Sequence, residues 1–267
     1  MIDVDSEDVI YRYKYLPFGA NKISLDVITD GTLKFTCPLE FNDPFDCQPV
    51  AYIDETVRQK NYFKNIERLK GKLSPAKKIR ERGRSYAVLN GKVKSGEMLR
   101  TNLQSVGVLS LSRTCNDILM WSHYAENHKG FVVGFHYTDF DSPSYDRGIA
   151  HILPHKVDYK EDRPVFNFAK SHEFINCLLV KSPQWEYEQE ERAFTFNQGP
   201  GIHNYDRQRR LYCVIAGAKI EPENLKLLKD AVLKASDELG REIKFKQAKL
   251  CDTSFSIDIN DVKLKKK

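Results

Sequence analysis

No apolar run in this chain approaches the roughly 18 residues that a membrane-spanning helix requires, so the sequence offers no candidate for one. It also has no C-x-x-C pair. Cys37, Cys47, Cys115, Cys177, Cys213 and Cys251 stand far apart, with none at metal-ligand spacing. A disulfide scaffold is shorter and denser in cysteine, so these are expected to be reduced and mostly buried thiols. There is no G-x-G-x-x-G, no G-x-x-x-x-G-K-[ST] and no G-x-S-x-G. Those absences weaken dinucleotide-fold dehydrogenase, phosphate-loop ATPase and α/β-hydrolase readings. No internal repeat is present. The N-terminal MIDVDSEDVIYRYKY is acidic and then aromatic, which is not the pattern of a signal peptide, and a cytoplasmic location is expected.

What remains is a chain of 267 residues, 41% hydrophobic and 30% charged, long enough for a sizeable core. Its net charge of +5 is unevenly spread. Arg58 to Arg100 holds 14 Lys and Arg against 3 Asp and Glu, so this segment carries +11 and the rest of the chain −6. Such a block is either a solvated helical insertion or an electrostatic footprint for a polyanion. Its cations do not interleave with aromatics in a stacking pattern.

Strands are expected at Val9 to Tyr15, Thr32 to Thr36, Val106 to Arg113, Phe131 to Tyr137, Ala150 to Tyr159, Gln184 to Phe196, Arg210 to Ile215 and Glu242 to Leu250. Helices are expected at Lys22 to Asp30, across 54–104, from Asp117 to a stop at Gly130, over Pro164 to Lys181, and at Pro222 to Leu239 before Gly240. The last carries one apolar stripe of Leu225, Leu228, Val232, Ala235 and Leu239. The expected class is α+β: a single domain over 1–267 with a mixed or antiparallel β core and a basic helical insertion at 54–104.

QWEYEQEERAFTF, Gln184 to Phe196, places four glutamates within six residues. Alternation along a strand sets Glu188, Glu190 and Arg192 on one face with Phe194 and Phe196. If the phenylalanines enter the core, both carboxylates point inward near the strand end. An inward charge is costly unless it is paired or lines a cavity. Two readings follow: Glu190 and Arg192 pair with each other or with neighbours, or Glu188 and Glu190 face a substrate while Arg192 holds one of them.

MWSHYAENHKG is the second unusual stretch. Met120, Trp121, Tyr124 and Ala125 share a helical face. His123 and His128 are five apart, wrong for a zinc pair at i and i+4. This helix is either core or one wall of a pocket that offers Tyr124 or His123 to a ligand. Upstream, Ser110 and Ser112 share one face of a strand, where small hydroxyls leave room for a ligand.

Taken together, YKY at Tyr13 to Tyr15, FNDPFD at Phe41 to Asp46, LSLS followed by MWSHYAENHKG at Leu109 to Gly130, and W-x-Y-E-x-E-x-R at Trp185 to Arg192 resemble an uncharacterised bacterial family of domains of unknown function (number 2971). The resemblance covers roughly residues 9–220; Glu191 stands where that pattern implies an apolar residue. The family is in turn distantly similar to ADP-ribosyltransferases. This second resemblance implies a β core like theirs, with NAD as the substrate and no metal. It implies a basic or polar residue on a first strand (Arg12 or Lys14), a small hydroxyl on a second (Ser110 or Ser112) and a glutamate on a third (Glu188 or Glu190). Tyr13, Tyr15, Asn42 and Asp43 would line or rim the pocket, and Trp121, Tyr124 or Phe45 would stack on nicotinamide or adenine, with His123 nearby. Bacterial stress or phage defence is the implied setting.

The expected activity is therefore cleavage of the nicotinamide–ribose bond of NAD and transfer of ADP-ribose to a protein or nucleic-acid acceptor, docked through Arg58 to Arg100, with no membrane partner. Two alternatives stand beside it. One is a metal-dependent nuclease or phosphodiester hydrolase using Glu188, Glu190, Asp43 and His123. The other is a non-enzymatic module that binds nucleic acid or protein.

Overall fold

The computed structural model describes residues 9–19, 23–54, 74–138 and 153–265. The chain forms two compact units. The first gathers Met1–Thr36, Gly107–Val157 and Gln184–Lys267; the second gathers Cys37–Val106 and Asp158–Pro183. The expected insertion at 54–104 belongs to the second unit, and its residues 55–73 lie outside the described residues.

The strands in chain order are β1 (Val9–Leu16), β2 (Thr32–Phe35), β3 (Val50–Tyr52), β4 (Gly107–Ser112), β5 (Phe131–Thr138), β6 (His155–Lys156), β7 (Asp158–Tyr159), β8 (Val165–Asn167), β9 (Val180–Lys181), β10 (Glu190–Thr195), β11 (Gly201–Asn204), β12 (Leu211–Ala216), β13 (Lys244–Leu250) and β14 (Ile257–Asp261).

The first unit is built on an eight-stranded sheet in the order β14-β13-β12-β5-β1-β4-β10-β6. All its pairings are antiparallel except β12 with β13. A parallel pair needs a long crossover, and the helix Pro222–Leu239 supplies it. Leu228, Ala231, Val232 and Ala235 bury the helix's apolar stripe, with Leu225 and Leu239 partly covered at its ends. Gly240 closes it at φ 63°, a left-handed conformation that a Cβ would strain.

Both faces of this sheet are covered. Phe131, Val133, Phe135 and Tyr137 of β5 enter one core cluster with Leu109, Leu111, Ala193 and Val214. Val132 enters a second cluster with Tyr15, Trp121, Cys213 and Ile215. The period-two pattern is thus present in β5, but apolar residues occupy both phases. The protein is therefore mixed α and β with a largely antiparallel sheet. All six cysteines are free, four of them buried. Among the described residues no helix is long and apolar enough to cross a membrane.

Several elements differ from the sequence expectation. Pro183–Glu188 is a 3-10 segment, and the strand begins only at Glu190. The cause is local. Gln189 takes φ 45° and breaks the extended chain. Phe194 and Phe196 do not anchor a core face: Phe196 is 43% exposed and stacks on Phe194, while Ala193 is the residue that enters the core. The helix from Asp117 ends at Tyr124, not at Gly130, because Glu126, Asn127 and His128 all take positive φ. Pro164 to Lys181 is mostly irregular, with short strands at each end and one helix, Phe174–Leu178. Of Ala150 to Tyr159, residues 150–152 lie outside the described residues; the remainder holds β6 and β7, two residues each.

The second unit contains two small parallel pairs, β3 with β8 and β7 with β9. Its helix Pro75–Lys94 starts with Ser74 as cap, whose hydroxyl accepts from Lys77 N at 3.4 Å, and with a proline in the first turn. Glu97–Gln104 follows and buries Leu99 and Leu103.

Candidate functional site

The sheet brings three of the predicted stretches onto adjacent strands of the first unit. Tyr13 of β1 pairs with Ser112 of β4, and Ser112 pairs with Glu190 of β10. Directly paired residues of antiparallel strands project to the same side. Tyr13, Ser112 and Glu190 therefore form a single row across three strands.

The pairing of β1 with β4 is limited to Tyr13 and Ser112. Lys14 Nζ reaches toward β4 and donates to the Ser110 carbonyl at 3.0 Å. Burial pushes the Lys14 ammonium below its ordinary pKa; the carboxylates of Glu190 and then Glu188 pull it back up. This cation therefore shares its surroundings with both acids.

Each acid also has a close partner. Glu190 accepts two hydrogen bonds from the Arg192 guanidinium, Nε and Nη2, at 2.8 Å each. Both residues are buried, Arg192 completely. Such a bidentate pair fixes the plane of the carboxylate. Glu188 sits at the end of the 3-10 segment, 3% exposed, and accepts from the Tyr124 hydroxyl at 2.5 Å. Its carbonyl accepts from Ser112 Oγ at 2.7 Å, and Ser112 Oγ in turn accepts from Thr114 N at 3.1 Å. The left-handed Gln189 separates Glu188, at the end of the 3-10 segment, from Glu190, the first residue of the strand. Gln189 is held by its own backbone, N to the Glu186 carbonyl and O from Arg113 N.

Arg12 has a different role from Lys14. On the same face of β1 as Lys14, and opposite Tyr13, it makes a bidentate ion pair with Glu191 at 2.5 and 2.8 Å. Glu191 is buried and is the partner of a half-buried arginine. Its sequence signal is Arg12 itself, visible only once β1 and β10 are known to flank the same strand.

Trp121 is a core residue and not a pocket wall: it is fully buried, and its Nε1 donates to the Cys115 carbonyl at 2.9 Å. The edge of Tyr15 meets it at 5.4 Å between centroids. Tyr15 is itself core, with its hydroxyl on the Thr114 carbonyl. His123 is exposed, with Tyr124 and Tyr187 each 6.3 Å away between ring centroids. Asn42, Asp43 and Phe45 belong to the second unit. There Asp43 Oδ1 accepts from Phe45 N at 2.9 Å, which forms the turn, while Phe45 is 63% exposed.

A cavity of about 610 Å³ opens at the Tyr13 end of the row. It is lined by Tyr13, by Arg113 to Asn116 and by Ile257 to Asn260. The sequence reading missed Arg113, Asn116, Asp258 and Asn260. The last two lie on β14, a strand with only two apolar-to-polar steps to announce it. Burial raises the Tyr13 phenol above its ordinary pKa, with Cys115 the next cause, so it stays protonated as a donor. Among the described residues no three His, Cys, Asp or Glu side chains gather as a metal-ligand set.

Residues 120–193 match the model of a family described as a protein of unknown function (DUF2971). The matched stretch runs from the Trp121 helix through Ala193, and so includes Tyr124, Glu188, Glu190 and Arg192. It supports a domain-of-unknown-function family for this part of the chain. No curated protein and no solved structure matches.

Proposed function

We propose that the protein is an ADP-ribosyltransferase-like enzyme that uses NAD. The observation that carries the reading is the row Tyr13–Ser112–Glu190. Ser112 and Glu190 are the small hydroxyl and the glutamate that the resemblance implies, on neighbouring strands; on the first strand the row holds Tyr13 in place of the implied Arg12 or Lys14. The row also ends at a polar cavity of ligand size.

The chemistry is coherent with these groups. The C1′–N bond of NAD breaks, nicotinamide leaves with the bonding electrons, and positive charge develops on the ribose. A carboxylate at that carbon stabilises the cation. An acceptor oxygen or nitrogen then bonds to C1′ and gives up its proton. In this reading Glu190, oriented by Arg192, is the carboxylate. Tyr13 is a hydrogen-bonding group of the pocket, Ser112 adjoins it in the row, and Arg113, which lines the cavity, supplies the cation for the pyrophosphate. The geometry gives Arg12 to Glu191 instead. No observation favours the metal-dependent hydrolase.

Incubation with NAD and a panel of protein, DNA and RNA acceptors, with released nicotinamide as the readout, tests the proposal. Release is expected from the native chain and is expected to fall at least 100-fold in Tyr13→Phe/Glu190→Gln, with circular dichroism confirming the fold. No release with any acceptor, together with no NAD binding by calorimetry, overturns it.

A further inference from the structure

We propose that the outward face of the helix Pro75–Lys94 docks on the phosphate backbone of a duplex nucleic acid. This inference is independent of the chemistry at Glu190 and concerns the second unit alone. At 3.6 residues per turn, Lys77, Arg80, Arg84, Ala87, Gly91 and Lys94 fall within an arc of about 100°. All six are exposed. The four cations span about 25 Å at 1.5 Å per residue. Their side chains make no ion pair or hydrogen bond among the described residues, whereas Lys92 on the flank is paired with Glu97 at 2.7 Å. The helix's one acid, Glu81, lies on the half-buried side. A face that served only to keep the protein soluble would mix the two signs of charge. This one carries a single sign.

The glycines are the second observation. Gly83 and Gly91 sit inside the helix at its outward side, where glycine is destabilising relative to alanine. A Cβ at either position would meet nothing within 4 Å among the described residues. Packing within the chain therefore does not ask for glycine at either place. Close approach of an external backbone between the cations does.

The same face selects among polyanions. Its centre is cationic and small, and the exposed apolar residues Ile79 and Val88 lie at opposite margins, so it has no wedge to insert into a lipid surface. It has no aromatic on which unpaired bases would stack; Tyr86 is on the half-buried side. Duplex phosphates fit a row of point charges with no base-reading group.

Fluorescence anisotropy of the full chain with a labelled 20-base-pair duplex of mixed sequence tests this. The native chain is expected to bind with little sequence preference and a steep salt dependence. In Lys77→Gln/Arg80→Gln/Arg84→Gln/Lys94→Gln the slope of log K against log salt should become shallower by about 3.6, from the roughly 0.9 per phosphate contact of a duplex. Gly83→Gln/Gly91→Gln should raise Tm and weaken binding at least fivefold, a pairing of effects that a purely structural helix would not give. Three results overturn the proposal: no duplex binding at 50 mM salt, a slope unchanged by the fourfold substitution, or tighter binding to the single strand of the same sequence or to phosphatidylserine vesicles.

Discussion

Arg12 and Glu191, 179 residues apart, form a bidentate ion pair with guanidinium-to-carboxylate distances of 2.5 and 2.8 Å. The side chains are 14% and 7% exposed, so water compensates neither charge fully. Breaking such a pair leaves an unpaired buried charge and typically costs about 3–5 kcal/mol. Some exposure and a second cation, Arg113 at 3.9 Å from Glu191, lower the expectation here to about 2–3 kcal/mol for Glu191→Gln. The double substitution Arg12→Met/Glu191→Leu should cost less than either Arg12→Met or Glu191→Leu alone. Urea denaturation of the four proteins measures the coupling; additive costs would deny the pair.

Tyr124 gives its hydroxyl to Glu188 at 2.5 Å. Tyr124→Phe leaves that buried carboxylate short of a donor, and about 1–3 kcal/mol of stability should be lost. Ser112→Ala removes the hydroxyl that joins the Glu188 carbonyl to Thr114 N. A loss of about 1–2 kcal/mol is expected there, with NAD turnover falling more than stability explains. Parallel thermal melts and nicotinamide release separate the two effects.

Gln189 holds φ 45° between the two acids, a conformation that an L side chain adopts only at some cost. Gln189→Gly should be neutral or stabilising by up to about 1 kcal/mol, and Gln189→Val should destabilise by about 1–2 kcal/mol. An equal effect of the two substitutions in urea melts would mean that the local backbone is not strained.

His128 is 8% exposed; its Nε2 lies 3.1 Å from Ser122 Oγ, and among the described residues its Nδ1 has no hydrogen-bond partner. Burial first, and then Lys219, lower its pKa from the ordinary 6.5. The folded state thus takes up this proton less readily than the unfolded chain. The stability contribution is full above pH 6.5, where both states are neutral, and is lost as pH falls below 6.5 toward the depressed folded value. The asparagine in His128→Asn tolerates the positive φ and does not titrate. The urea midpoint of native protein minus that of the variant should fall between pH 7.5 and pH 5.5; a difference independent of pH would refute the assignment.

Gly134 faces Tyr13 across the β5–β1 pair. A Cβ there would stand 2.5 Å from Cys213 Sγ and 3.2 Å from the Tyr13 ring. Gly134→Ala should cost about 1–3 kcal/mol by overpacking, and it should displace Tyr13 and so weaken NAD binding. Calorimetric titration with NAD, set beside a melt, distinguishes this from simple loss of stability.

The sequence by itself determined the elements whose signals are local. The stripe from Leu225 to Leu239, ended by Gly240, specifies a helix. The β-branched and aromatic runs at Val9 to Tyr15 and Phe131 to Tyr137 specify strands. The same locality explains the pairing of Glu190 with Arg192, two positions apart on one face. What only the tertiary structure decided is what depends on partners distant in the chain. Strict alternation placed Glu188 on the strand with Glu190; the left-handed Gln189, held by Arg113 and Glu186, put it at the end of a 3-10 segment instead. Trp121 looked available to a ligand, but a core cluster formed by β1, β5 and β12 covers it. Arg12 and Lys14 were interchangeable as first-strand cations until the register of β1 turned one toward Glu191 and let the other reach Ser110. Arg12 and Lys14 share one face of β1, two residues apart, so position along the strand, which composition cannot see, decides which charge meets which partner.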